Sequence, residues 1–212
     1  MRTKQKLKDL INSAIPDRYF ITRYTTTGYG VVFTFDDGPH RDFTPASLDV
    51  LDDLGVSATY FLLGSYAERH KDIVKDIVRR GHLVGGHTYS HCSVAGLSLA
   101  DLHKEVVDNG KRLSDLCGQE VKLFRPPRGL LDVKSACYLL SKGLQTVMWS
   151  IDSTDYKKSS ASDIVAQVER VGLRTGDIIL LHDDNDYTIE ALPLLAAAVR
   201  QRGLGFSNLD AR

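Results

Sequence analysis

The feature that most limits the fold of this 212-residue chain is a regular alternation of short apolar runs with longer segments of helical spacing. A glycine follows each helical segment, and glycine readily adopts the left-handed conformation that commonly ends a helix. These glycines are Gly55, Gly81, Gly118, Gly143, Gly172 and Gly203. The predicted helices are Thr44–Leu54, Ser65–Arg80, Ser98–Leu116, Asp132–Lys142, Ser162–Val171 and Tyr187–Arg202. Thr44 is the expected N-cap of the first of them.

The apolar runs between these helices predict a parallel sheet. They are Val31–Phe35, Ala58–Leu62, Leu83–Val84, Val121–Phe124, Thr146–Trp149, Ile178–Leu181 and Phe206–Leu209. Strands that alternate with helices are joined by right-handed crossovers, so the fold class is α/β. A closed eight-stranded barrel usually takes about 250 residues, so the shorter chain predicts an incomplete barrel of a single domain. An open doubly wound sheet is the alternative.

The charge balance and composition narrow the class of partners. The chain has 27 Lys and Arg residues against 27 Asp and Glu, so it lacks the basic excess that favours nucleic-acid binding. No apolar run approaches the ~18 residues of a membrane span. The three cysteines form no C-x-x-C pair and do not suggest a disulfide framework. We therefore expect a globular domain in a reducing compartment, with no nucleic-acid partner and no transmembrane segment.

The beginning of the chain differs in character from the rest. Basic and apolar residues alternate there with the spacing of a short amphipathic helix, which predicts a docking helix or, alternatively, weak contact with a membrane surface. The apolar residues are too scattered to form the core of a signal peptide, so the expected location is cytoplasmic or membrane-proximal. We predict an N-terminal helix and lead-in segment over residues 1–28 and the main domain over residues 29–212.

Several side chains that can carry chemistry follow the predicted strands, whose carboxyl ends meet at one edge of a parallel sheet. Asp36 and Asp37 follow the run Val31–Phe35, and adjacent carboxylates there are costly unless they are paired, protonated or bound to a cation. His87 and His91 have i, i+4 spacing and can bind one ion. With Asp37 they form a three-ligand set that leaves a fourth position open, as in catalytic zinc sites. A solvated turn and a surface histidine pair are the alternatives.

Two further strand ends carry polar candidates. Arg125 lies in a loop stiffened by two prolines, where it either pairs with a site carboxylate or remains an ordinary surface arginine. His182 directly follows an apolar strand, and Asp152 follows the neighbouring one. A carboxylate bonded to an imidazole raises its basicity, which a general acid near neutral pH requires. A purely structural histidine is the alternative.

Five segments, in chain order, resemble the motifs of the polysaccharide deacetylases, the NodB-homology domains of carbohydrate esterase family 4. They are Thr34–Pro39, His87–His91, Arg125–Pro127, Asp152–Asp155 and Leu180–His182. The resemblance covers about residue 29 to the C-terminus and implies a distorted (β/α)7 barrel. It also implies a metal-dependent enzyme that hydrolyses the N-acetyl group of a sugar in an oligo- or polysaccharide, or in its biosynthetic intermediate, and releases acetate.

The resemblance assigns roles to individual residues. It implies that Asp36 is the catalytic base and His182 the general acid, and that Arg125 holds Asp36 while Asp152 tunes His182. It implies one divalent metal ion, usually Zn²⁺, with Co²⁺, Mn²⁺ or Ni²⁺ as alternatives. The implied ligands of the ion are Asp37, His87 and His91.

The resemblance also indicates where the substrate binds. Leu180 and Tyr156 are expected to line the pocket for the acetyl methyl group, with Trp149 as a further wall. Arg128 stands where the family normally has an aromatic residue, which predicts a cationic groove wall and favours an anionic substrate. An O-acetyl esterase, a non-sugar amidase with the same metal site, and a non-catalytic carbohydrate-binding relative are the alternative functions.

Overall fold

The computed structural model describes residues 19–24, 30–158 and 160–209. In these ranges one sheet contains eight strands. They are β1 Phe20–Ile21, β2 Val32–Asp36, β3 Ala58–Leu62, β4 Leu83–Gly86, β5 Leu123–Phe124, β6 Gln145–Val147, β7 Ile151–Asp152 and β8 Ile178–His182. The strand order is β1-β6-β5-β4-β3-β2-β8-β7, and every neighbouring pair is parallel.

The strand order distinguishes a barrel from a doubly wound sheet. A doubly wound sheet reverses its strand order at a switch point, whereas here the order runs without reversal from β6 to β2 and then continues to β8. Strands β1 and β7 stand at the two ends and do not pair with each other. The sheet is therefore a curled, incomplete barrel, as predicted, and the doubly wound alternative is wrong.

Helices cover the outside of the sheet. They are α1 Phe43–Leu54, α2 Gly64–Ala67, α3 Lys71–Arg79, α4 Leu99–Leu102, α5 Asn109–Cys117, α6 Val133–Ser141, α7 Ala161–Val171 and α8 Asp186–Gln201. A π-helical segment, His103–Asp108, joins α4 to α5, and short 3₁₀ turns occur at Pro127–Gly129 and Asp155–Lys157. In the described ranges no helix is both long and apolar enough to cross a membrane.

The strands are apolar throughout because both of their faces are buried. On the outer face, Phe33 and Phe35 of β2 belong to the same core as Leu48 of α1 and Leu192 of α8. On the inner face, Val32, Phe61, Leu123, Val147 and Ile178 form a separate apolar cluster. Strands covered on both sides carry nearly continuous apolar sequence, which is why the sequence pattern revealed most of them.

Several predicted elements differ from the structure. Asp42 is the N-cap of helix α1, so the prediction that Thr44 is the N-cap was wrong. The Thr44 hydroxyl instead accepts a hydrogen bond from the His40 amide at 2.7 Å and donates one to Asp183. The predicted strand Phe206–Leu209 is reduced to a single bridge between Phe206 and Val31. Strands β1 and β7 escaped prediction because two residues are too few to show a pattern.

The lead-in segment contributes to the main sheet. Phe20 of β1 pairs with Thr146 of β6, and the Tyr24 amide donates a hydrogen bond to the Gly176 carbonyl at 2.9 Å. Gly176 in turn donates its amide to the Gly30 carbonyl at 3.2 Å. The predicted helix at the start of the chain lies outside the described residues.

Replacing Gly176 by alanine is expected to destabilise the fold. Gly176 has φ of +76°, and an added Cβ would lie 1.8 Å from the Tyr24 carbonyl oxygen. We expect Gly176→Ala to lower the free energy of unfolding, measured in urea, by more than about 1 kcal/mol. The matched control is Gly143→Ala, where φ is +73° but a Cβ meets nothing within 4 Å. Equal losses in the two variants would contradict the close approach of Tyr24.

Candidate active site

The candidate site lies at the carboxyl ends of neighbouring strands. Asp36 ends β2 and His182 ends β8, and the two residues are direct partners in the register of this strand pair. Asp37 is the residue after Asp36 and has the left-handed conformation, with φ of 70°. The chain therefore turns sharply at the end of β2, which separates the two adjacent carboxylates.

Asp37, His87 and His91 converge on one point, as the sequence predicted. Asp37 Oδ1 lies 3.4 Å from Nε2 of His87 and 3.2 Å from Nε2 of His91. One ligand atom from each residue lies within 4.8 Å of the others. One carboxylate oxygen and two imidazole nitrogens form a donor set that suits Zn²⁺ and similar divalent ions.

The hydrogen bonding of these residues supports a metal at this point. Asp37 Oδ1 is buried and has no hydrogen-bond donor in the described part of the chain. His87 Nδ1 lies 2.8 Å from the Arg125 carbonyl, so its proton is donated there and Nε2 presents a lone pair to Asp37. Burial lowers the pKa of His87, which keeps the ring neutral, as a metal ligand must be. The three residues thus fit a bound cation.

Asp36 is held by a fully buried arginine. Arg125 Nη1 donates to Asp36 Oδ1 at 2.7 Å and to the Thr34 hydroxyl at 2.8 Å. Its other nitrogens donate to the carbonyls of Val147 at 3.1 Å and Met148 at 2.9 Å. This network fixes one oxygen of Asp36, while the other, Oδ2, faces the candidate metal ligand His87.

His182 is paired with Asp155. The His182 Nδ1 atom lies 2.9 Å from Asp155 Oδ1, and the His182 amide donates to Asp155 Oδ2 at 2.6 Å. Burial lowers the pKa of His182, but the hydrogen bond to Asp155 and the nearby charges of Asp155, Asp36 and Asp37 outweigh it and raise the pKa to about 9. His182 is therefore protonated at neutral pH, with Nε2 free to face the site.

The prediction that Asp152 tunes His182 was wrong. Asp152 Oδ1 accepts from the Thr154 amide at 2.8 Å, and Oδ2 accepts from the Tyr156 hydroxyl at 3.2 Å. Thr154 is left-handed, with φ of 54°, and this bend directs Asp155 into the protein while Asp152 closes its own turn. Asp155 is 2 % exposed and also accepts from the Thr188 hydroxyl. The sequence contains one sign of this pairing: Asp155 is the second aspartate of the Asp152-Ser153-Thr154-Asp155 segment.

The predicted substrate-binding residues surround this centre unequally. Leu180 is buried in β8, and the exposed Tyr156 ring packs edge-on to the His182 ring with centroids 5.5 Å apart. Trp149 is half-buried, with its ring 5.6 Å from the Arg125 guanidinium carbon. Arg128 is exposed and left-handed, with φ of 58°, and has no ion pair with any residue that the structure describes. Tyr156 therefore forms a wall beside His182, and Arg128 lies at the surface.

A groove lies beside the candidate metal ligands. Its lining includes the candidate ligands Asp37 and His91 together with Tyr66, an aromatic residue that is 41% exposed. His40, Ser65, Ser90 and Asp184 supply polar groups along it. Asp183 also contributes, and burial raises its pKa to about 7, partly offset by the hydrogen bond from Thr44. The groove thus combines one aromatic surface with several hydrogen-bonding groups.

Comparisons relate the chain to known proteins. The family described as polysaccharide deacetylase matches residues 23–147. A peptidoglycan-N-acetylglucosamine deacetylase from Bacillus cereus is 34% identical over 183 residues, or 84% of this chain and 66% of that protein. A chitooligosaccharide deacetylase from Sinorhizobium fredii is 32% identical over 197 residues, or 86% of this chain and 91% of that protein. The chain thus spans just under two thirds of the Bacillus relative and most of the Sinorhizobium one.

A solved structure gives the same result for the fold. A peptidoglycan N-acetylglucosamine deacetylase in complex with a naphthalenyl benzamide superposes with a TM-score of 0.86 at 31% identity. The match covers 91% of this chain and 92% of the other. Together with the family match, it confirms the predicted resemblance and the predicted barrel.

Replacing Asp155 by asparagine is expected to lower the pKa of His182. Without the carboxylate, burial is opposed only by the charges of Asp36 and Asp37, so the pKa of His182 should fall from about 9 in a histidine titration followed by NMR. The sign for stability follows: the pair stabilises the fold fully below pH 6.5, and this contribution is lost as the pH rises through about 9.

The matched control is Asp152→Asn, which should leave the His182 titration in place because Asp152 bonds within its own loop. A shift caused by Asp152→Asn instead of Asp155→Asn would contradict the assignment of the pair.

Proposed function

This chain belongs to the polysaccharide deacetylase family, and we propose that it hydrolyses the N-acetyl groups of sugar units in an oligo- or polysaccharide. The observation that carries the proposal is the convergence of Asp37, His87 and His91 beside a held carboxylate, Asp36, and a protonated imidazole, His182. The names of the Bacillus and Sinorhizobium relatives support polymers of N-acetylglucosamine as the substrate class. The products would be acetate and a free amino sugar.

We propose Asp37, His87 and His91 as the ligands of one divalent ion, with Zn²⁺ favoured by the donor set and Co²⁺, Mn²⁺ or Ni²⁺ as alternatives. When bound, the ion supplies Lewis-acid chemistry that polarises the acetamide carbonyl and makes water more acidic. The neutral state of His87 and the unpartnered Oδ1 of Asp37 support this assignment.

Asp36 is the proposed catalytic base. Arg125 binds Oδ1, so Oδ2 is the atom proposed to accept the proton of the attacking water. Oδ2 lies 3.8 Å from Nε2 of the proposed ligand His87. The buried guanidinium also fixes the orientation of the carboxylate before reaction. Such a positioned base typically contributes 10²–10⁴-fold, so its removal should leave only a small residual rate.

His182 is the proposed general acid. Asp155 binds its Nδ1 atom, so Nε2 carries the proton that is given to the amide nitrogen as the carbon–nitrogen bond breaks. The hydrogen bond to Asp155 raises the pKa of His182, which favours the charged ring that can give this proton to the leaving group. His182 Nε2 lies 3.9 Å from Asp37 Oδ2, which supports a position of the acid next to the proposed metal ligands. Acid and base thus act from different strands.

The remaining site residues are proposed to contact the substrate. Leu180, Tyr156 and Trp149 are the proposed apolar contacts of the acetyl group, and Tyr156 is supported by its packing on His182. Arg128 is the proposed contact for an anionic group on a neighbouring sugar, which its exposed guanidinium supports. A cytoplasmic location and contact of the N-terminal segment with a membrane surface stay predictions from the sequence.

Acetate release by the metal-loaded protein tests the function. N-acetylglucosamine oligomers should yield equal amounts of acetate and free amine, chelation should abolish the reaction, and added Zn²⁺ should restore it. Asp36→Asn should keep zinc affinity, measured by chelator competition, while turnover falls about 10²–10⁴-fold. Asn retains an oxygen that can accept from Arg125 but lacks the negative charge, so the variant should fold with a lower free energy of unfolding.

The products also separate the alternatives. Acetate released with an alcohol and no amine would indicate an O-acetyl esterase, and turnover of simple acetamides alone would indicate a non-sugar amidase. Saccharide binding without release of acetate would indicate a non-catalytic relative. Full activity of Asp36→Asn would contradict the role of Asp36 as base.

We further propose that the groove with Tyr66 holds the sugar next to the one that reacts. An aromatic ring that is 41% exposed beside polar groups offers a surface for a sugar face and hydrogen bonds for its hydroxyls. Tyr66→Ala should therefore lower kcat/KM several-fold for longer oligomers and leave the shortest substrate nearly unaffected. Tyr187→Ala is the matched control, since Tyr187 is 42% exposed but absent from the groove lining. The same loss at every substrate length would contradict this subsite.

A further inference from the structure

The loop that carries the two histidine ligands, residues 87–91, has an unusual backbone. Thr88 has φ of 66° and His91 has φ of 64°, so two non-glycine residues in this short loop are left-handed. For a β-branched residue such as Thr88 this conformation is a true outlier, and it persists only where the surroundings impose it. The question is which groups outside the loop hold it in this shape.

Glu105, in the π-helical segment, makes several hydrogen bonds to this loop. Its Oε2 accepts from the amides of Tyr89 at 3.1 Å and Ser90 at 3.0 Å. The Ser90 hydroxyl donates to both carboxylate oxygens at 3.1 Å, and the Glu105 carbonyl accepts from the Tyr89 amide at 2.9 Å. A single residue, 15 positions away from Ser90, thus binds consecutive peptide groups between the two ligands. The π-helical conformation is rare in proteins, and where it occurs it is often at a functional site.

Asn109 acts on the neighbouring peptide. It is completely buried, and its side-chain amide donates to the Thr88 carbonyl at 3.0 Å. The same carbonyl accepts from the Gly64 amide at 3.1 Å. A Cβ at Gly64 would lie 1.9 Å from Asn109 Oδ1, so only glycine leaves room for this side chain. The left-handed residue Thr88 is therefore held from two sides.

From these contacts we infer that Glu105 and Asn109 are positioning residues for the metal site. Neither side chain is one of the three converging ligands; both act on the peptide groups between His87 and His91. They hold the loop in the conformation in which the two Nε2 atoms approach Asp37 Oδ1. This inference rests on the proposed function, since it requires that the three residues bind a metal.

A role in metal positioning and a role in general stability predict different measurements. If the two residues only stabilise the fold, their removal lowers the unfolding transition of the metal-free protein and leaves the metal affinity of the folded protein unchanged. If they position the ligands, the folded variants bind metal more weakly and with altered geometry. Metal affinity and the visible absorption of bound Co²⁺ report the second effect directly.

The experiment compares Glu105→Ala, Glu105→Gln and Asn109→Ala with the wild type. The dissociation constant for Zn²⁺ is measured by chelator competition, the Co²⁺ spectrum is recorded, and the metal-free proteins are unfolded in urea. We expect Glu105→Ala and Asn109→Ala to bind Zn²⁺ about 10-fold more weakly or worse and to change the Co²⁺ spectrum. Glu105→Gln should fall between, because its amide keeps one acceptor oxygen.

The matched control is Glu169→Ala. Glu169 is an exposed helical glutamate in α7 that pairs with Arg202 at 3.2 Å, and it should bind Zn²⁺ like the wild type. If Glu105→Ala does not fold, Glu105→Gln decides the question by the same measurements. Wild-type zinc affinity and an unchanged Co²⁺ spectrum in the folded Glu105 variants would overturn the inference alone. A wild-type protein that takes up no Zn²⁺ would overturn the proposed function, and the inference with it.

Discussion

The site and the interior of the barrel depend on one interaction, the burial of the Arg125 guanidinium. It is fully enclosed, with the Phe61 ring 4.2 Å away and its nitrogens bound to Thr34, Asp36 and main-chain carbonyls. Breaking a buried ion pair by removing one partner typically costs about 3–5 kcal/mol, because the remaining charge is uncompensated. Asp36 thus stabilises the core as well as serving the proposed chemistry, and a substitution there should lower both stability and activity.

Two imidazoles in this structure are placed in opposite protonation states by their surroundings. His87 is buried with its Nδ1 proton on a carbonyl, and burial keeps it neutral. His182 is also largely enclosed, yet Asp155 raises its pKa to about 9 and keeps it charged. The contrast separates a proposed ligand at the end of β4 from a proposed proton donor at the end of β8, and it arises from the surroundings of each ring rather than from the residue type.

The sequence predicted those parts of the site that depend on local residue patterns. Apolar strands followed by Asp36, Asp37 and His182 mark strand ends, and strand ends meet in any parallel barrel. The direction of a side chain within a loop leaves no such mark, so Asp155 was indistinguishable from a neighbour three positions earlier until the left-handed Thr154 was seen. Glu105 was missed because its contact depends on how a distorted helix packs against a distant loop.

The ends of the curled sheet have a consequence for the behaviour of many copies together. Strands β1 and β7 are only two residues long, so each end exposes few free amides and carbonyls to a neighbouring molecule. Near these ends, the hydrogen bond between Tyr24 and Gly176 occupies further main-chain groups. In the part of the chain that the structure describes, edge-to-edge pairing between molecules, the first step toward β-aggregates, therefore finds little template.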